Sequence, residues 1–147
     1  MEMNVLAKNA QCIQEFARSM PENSLMISAA SVLWTPLKVN CITVDRALDY
    51  KEALQAYMDR PDKPIVYLHE WIHHKTNGEK FYAEKFCSED VTRLSRIREN
   101  PSFEIEPVKS YFPRPYTGIQ ISRVVRVLSS EEQKNKTQGL MSFYNLL

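Results

Sequence analysis

The chain has 147 residues, 44% of them hydrophobic and 25% charged, with a formal net charge of +1. This is enough for one domain with a sizeable core. The near-neutral balance excludes a global field that would draw in nucleic acid, so any such binding must come from a local patch.

Residues 3–19 read as a helix, because Val5, Leu6, Ile13, Phe16, Ala17 and Met20 fall roughly on one face and Pro21 stops it. Residues 25–34 form a continuous apolar run with small residues at Ser28, Ala29, Ala30 and Ser31, as in a buried strand that ends near Pro36. Residues 37–44 alternate weakly and read as a second strand. Asp45 is placed to N-cap a helix to about Met58, with Ala47, Tyr50, Leu54 and Tyr57 at helical spacing. The run Arg60-Pro61-Asp62-Lys63-Pro64 is a break. Past the stretch 65–87, Ser88 can cap a short helix that holds Val91, Leu94 and Ile97 and ends at Asn100-Pro101. Residues 103–108 alternate as a strand, 111–116 form a proline-rich aromatic loop, and 119–128 form a strand with Arg123 and Arg126 on opposite faces. Ser130-Glu131-Glu132 opens a last helix with Leu140, Phe143, Tyr144 and Leu147 as its buried stripe. The sum is a single α+β domain over 1–147. Its sheet is expected to be six-stranded, antiparallel and partly closed, covered by N-terminal, middle and C-terminal helices.

The stretch 65–87 carries the most chemical information and admits two readings. His69-Glu70-Trp71-Ile72-His73 spells HExxH. On a helix, His69 and His73 share a face and can hold one zinc ion, with Glu70 as general base on a metal-bound water. A catalytic zinc needs a third ligand, which would be Glu79, Glu84, Glu89 or Glu99; Lys75 departs from the usual pattern of such motifs. On a strand, His69, Trp71 and His73 line one face and Glu70 the other, and the spacing makes no metallopeptidase site. Asn77-Gly78 between two apolar-rich runs is a strong hairpin signal, and the first run is rich in β-branched and aromatic residues. The hairpin is the preferred reading.

With the hairpin, a longer pattern emerges: Pro64 leading a strand, the Asn77-Gly78 turn, Lys80-Phe81-Tyr82, Arg93 to Asn100-Pro101, Phe103-Glu104-Ile105, and Val124 to Glu132. This pattern over 63–136 resembles the flavin-binding split-barrel proteins, the pyridoxamine-phosphate-oxidase-like group. The resemblance implies a split-barrel-like sheet and an FMN-dependent oxidoreductase acting as a homodimer. Arg93 would hold the FMN phosphate, with Lys85 and Ser88 assisting. The helix over 45–58 and Tyr67-Leu68 in place of an early arginine depart from that family.

A third reading is a non-catalytic nucleic-acid or protein binder. It would use Arg93 and Arg96 with Tyr111, Phe112, Arg114 and Tyr116, since cations interleaved with aromatics suit phosphate contact and base stacking. The three cysteines, Cys12, Cys41 and Cys87, have no CxxC spacing and read as small buried hydrophobes. Three glycines and no GxGxxG or GxxxxGKS/T motif argue against a glycine-rich phosphate loop. The absence of a membrane-length apolar run and of a signal-like start points to a reduced, cytoplasmic protein.

Overall fold

The structure is a computed structural model. It describes residues 5–74, 78–86, 94–114 and 117–128, together with Glu132. The expected C-terminal helix lies outside the described residues, as do Ser88 and Val91 of the expected middle helix.

Helix α1 is Val5–Ser19. Its buried stripe is Asn9, Ile13 and Phe16, at the three- and four-residue spacings that share a helix face. Strand β1 is only Leu25–Ile27, which shortens the strand expected over 25–34. The cause is local: the Ser28 hydroxyl accepts the backbone N–H of Ala30 at 3.0 Å and turns the chain. The rest of the apolar run then winds through 3-10 turns at Ser31–Leu33 and Thr35–Leu37. These turns drop Trp34 into the core, fully buried. Strand β2 is Asn40–Ile42, the centre of the stretch expected over 37–44.

The helix expected over 45–58 is two helices, α2 Val44–Asp49 and α3 Lys51–Met58, divided at Tyr50. Thr43, not Asp45, is the N-cap, since its hydroxyl accepts from Arg46 N–H. Asp45 sits in the first turn, where its charge suits the helix dipole. Strand β3 is Val66–His74 and β4 is Lys80–Ala83, paired antiparallel, with Gly78 at φ 90 in the connection. Residues 66–74 are therefore strand, as the hairpin reading expects. Helix α4 is Arg96–Glu99, capped by Ser95. Strands β5 (Phe103–Arg114) and β6 (Thr117–Val127) form a long antiparallel ribbon. Tyr111 and Phe112 thus belong to a strand, where a loop was expected. The register shifts at Pro107/Lys109 and Tyr111/Arg114 accommodate Pro107 and Pro113, and a third lies at Glu104/Ile105.

The sheet order is β2-β1-β3-β6-β5, with β4 also on β3. The α+β class holds. The expected antiparallel pairing holds for β3–β4, β3–β6 and β5–β6, whereas β1 pairs parallel with both β2 and β3, so the sheet is mixed.

Strand β3 is the hub. It pairs along one side with β6 and along the other first with β1, through Val66–Leu68, and then with β4, through Trp71–His74. Helices cover both faces, so eight of its nine residues are buried. Val66 and Leu68 face one core with Ile27, Val44, Leu54, Met58, Ile97 and Val124. Tyr67 and Trp71 face the other with Ile13, Phe16, Met26, Trp34, Ile119 and Ile121. The one-residue alternation of a strand thus separates an α1 side from an α2–α4 side. Among the described residues no helix is long and apolar enough to cross a membrane.

Candidate functional site

The strand sets the meaning of HExxH. His69, Trp71 and His73 point to the α1 side and Glu70 to the other. At about 3.3 Å per residue, the Cα atoms of His69 and His73 lie roughly 13 Å apart along β3. Glu70 therefore cannot serve as base on a metal held by His69 and His73, and the zinc-hydrolase alternative is corrected on this geometry. Glu70 is instead 1% exposed and forms a two-pronged ion pair with Arg98, Nε to Oε2 at 2.9 Å and Nη2 to Oε1 at 2.6 Å. The Arg98 guanidinium lies 3.8 Å over the Tyr82 ring. Glu84, a candidate third ligand, accepts Arg96 Nε at 2.8 Å, Arg96 Nη2 at 3.2 Å and Arg96 backbone N–H at 3.1 Å. No group of three or more His, Cys, Asp or Glu able to hold a metal occurs among the described residues.

On the α1 side, six rings contact edge to face in an unbroken chain: Tyr67, Phe16, Trp34, His69, Trp71, Phe86. Each such pair contributes about 0.5–1.5 kcal/mol beyond area burial. His69 is the polar member, 2% exposed. Its Nδ1 lies 2.8 Å from Ser28 Oγ and receives Trp34 Nε1–H at 3.3 Å. An indole N–H only donates, so Nδ1 is the bare nitrogen, Ser28 donates to it, and the proton of the neutral ring sits on Nε2. Burial pushes the His69 pKa down to about 3. The protonated Nε2 finds no acceptor among the described residues, and neither does Trp71 Nε1–H. A buried donor left unmade costs about 1–3 kcal/mol, so two on adjacent rings, with centroids 4.7 Å apart, mark an unusual spot.

The Trp71 ring also lines a cavity of about 250 Å³. Trp71 forms its floor, and Ala29, Ala30, Val32 and Leu33 wall one side. Asn9 of α1 and the segment Glu84-Lys85-Phe86 after β4 wall the other. The cavity opens where β3 exchanges β1 for β4, beyond the carboxyl end of β1. In open parallel sheets such crevices are where ligands bind, and an apolar lining with few polar groups is the usual composition of a ligand site.

The expected site residues distribute as follows. Lys85 is exposed at the rim of the cavity, while its expected companions Arg93 and Ser88 lie outside the described residues. The described part of the cavity does not fit FMN, since its volume is below the roughly 300–1,000 Å³ usual for cofactor-sized ligands and Lys85 is its one cation. Arg96, expected to reach a partner, is bound to Glu84 and to Asp45, with Nη1 2.6 Å from Asp45 Oδ1. These hydrogen bonds raise its pKa further above the ordinary range. Tyr111 packs against the α1-side core, and Phe112 is exposed beside His74. Tyr116 and the side chain of Arg114 lie outside the described residues. Cys12 and Cys41 are half-buried against the α1-side core, and burial pushes Cys41 up to about 11; Cys87 is outside the described residues.

The sequence reading missed Asn9, Ala29, Ala30, Trp71 and Phe86 as wall residues. Its available signal was the small-residue run Ser28-Ala29-Ala30-Ser31, which leaves room beside large aromatics. No family model matches the chain, and no curated protein or solved structure matches it either.

Proposed function

We propose that this protein is a small-ligand-binding domain and that the cavity over Trp71 is its binding site. The observation that supports this most is the placement of an apolar, aromatic-floored cavity at the β1-to-β4 exchange along β3. The ligand is small, mainly apolar, and enters past Val32, which is 73% exposed at the wall. A binder acting through Arg96 has less support, because its guanidinium is held by Glu84 and Asp45.

Toluene tests the reading directly. It should raise the Tm in a concentration-dependent way, as any species that binds only the native state does. Ala30→Leu, which fills the cavity, should abolish that response while the variant stays folded. A Tm indifferent to toluene, or a response unchanged by Ala30→Leu, would sink the proposal.

A further inference from the structure

Resting on the cavity reading above, we infer that the ligand is neutral and presents a carboxamide-type edge, a donor beside an acceptor, to the side-chain amide of Asn9. The unmet donors of Trp71 and His69 are sealed within the core and cannot meet a ligand. The Asn9 amide differs from them. Asn9 is 4% exposed and lines the cavity. Its amide makes no hydrogen bond with any described residue, yet, unlike those two donors, its nitrogen and oxygen keep accessible surface. Asn9 stands one turn before Ile13 on the buried stripe of α1, so its side chain points toward the sheet. On that side of the helix the accessible space is the cavity. An amide at a buried position is costly unless it is hydrogen-bonded.

The amide offers N–H donors on one atom and a carbonyl acceptor on the next. A ketone meets only its nitrogen, and an amine or alcohol donor meets only its oxygen. A carboxamide meets both at once, its own N–H on Oδ1 and its own carbonyl on Nδ2–H. Turning either amide over exchanges the two bonds and keeps the match. The charged side chains at the cavity favour a neutral ligand. Both oxygens of Glu84 take N–H groups of Arg96, three in all, so a ligand ammonium finds that carboxylate already neutralised. Lys85 is exposed at the rim, where water screens it, so a ligand carboxylate would lose hydration for little return. The flat apolar body of the ligand would lie against Trp71 and Phe86, whose rings meet at 67° with centroids 5.1 Å apart.

The test uses the full chain with 15N-labelled asparagine, whose side-chain NH2 signals report each amide. Asn9→Leu identifies the signals from Asn9, and Asn9→Ala serves as a second variant for the same purpose. Five probes of similar size are titrated: toluene, acetophenone, benzamide, benzoate and benzylamine. Benzamide should move the Asn9 signals far more than those of the other asparagines. It should bind about tenfold more tightly than toluene, with acetophenone between them. Asn9→Leu should remove that advantage, with a single cooperative thermal transition as the check on folding. Benzamide binding no tighter than toluene, or an advantage that survives Asn9→Leu, would overturn the amide inference while the cavity reading survives. Tighter binding of acetophenone, benzoate or benzylamine than of benzamide would overturn it too. Binding of none of the five would overturn the cavity reading itself.

Discussion

The Ser28 hydroxyl and the Trp34 indole N–H both donate to Nδ1 of His69, at 2.8 and 3.3 Å. A strand end, a 3-10 turn and the hub strand are thereby joined at one nitrogen atom. Protonating that nitrogen would break the Trp34 bond, reverse the direction of the Ser28 bond, and bury a charge.

Stability should therefore fall in mild acid. The His69 pKa is about 3 in the folded chain and about 6.5 unfolded. Between these values the unfolded state binds the extra proton, so its stability contribution is intact above about pH 6.5 and is lost progressively toward pH 3. Between pH 7 and pH 5 the loss is about 2 kcal/mol from this residue. His69→Gln, which keeps an acceptor but does not titrate, should lose that much less over the same interval. Urea unfolding of both proteins at each pH checks it.

Removing Arg98 should be more damaging than removing the whole ion pair. Arg98→Met leaves Glu70 buried without its cation and should cost about 3–5 kcal/mol, whereas Glu70→Leu combined with Arg98→Met should cost much less. A double-mutant cycle by chemical denaturation measures the difference. A double variant no more stable than Arg98→Met would contradict the arrangement.

Gly118→Ala should destabilise by about 1–3 kcal/mol. A Cβ there would stand 2.7 Å from the Tyr111 carbonyl oxygen and 2.7 Å from Phe112 Cδ1, and the carbonyl belongs to the paired strand. Gly78→Ala should cost about 1–3 kcal/mol for a different reason, since φ 90 suits glycine and the space around it is open. Thermal unfolding of both variants tests the pair. Gly78→Asn, which tolerates positive φ better than Ala, should recover part of the loss only at position 78.

Thr43→Ala should cost about 1 kcal/mol through loss of the α2 cap, and Asp45→Ala less. A Thr43→Ala variant with an unchanged urea midpoint would overturn the assignment of the cap to Thr43.

The legibility of this chain divides along local and non-local causes. Helix α1, the β3–β4 hairpin and the cap-and-break pattern were readable because periodicity, Pro21 and Asn77-Gly78 act within a few residues. The face of Glu70 followed at once from the strand reading. The apolar run 25–34 misled because hydrophobicity reports burial, not conformation. It was a Ser28 hydroxyl bond to Ala30 N–H that turned strand into 3-10. Within the loop expected at 111–116, residues 111–114 are strand because pairing with β6 outweighs proline, at the expense of register shifts. The parallel contacts of β1 and the cavity between Ala30, Trp71 and Phe86 join segments distant in sequence, and no local pattern announces them.

The position of β3 at the hub also governs the order of assembly. Its ladder is complete only when β6, which follows β1, β2 and the hairpin in the chain, has been synthesised. Until then one side of an apolar strand is bare, which is the condition in which nascent chains associate wrongly or recruit chaperones. Contacts this far apart in sequence also slow closure of the core. The residues that unite the finished domain are thus the ones that leave its early fragments adhesive.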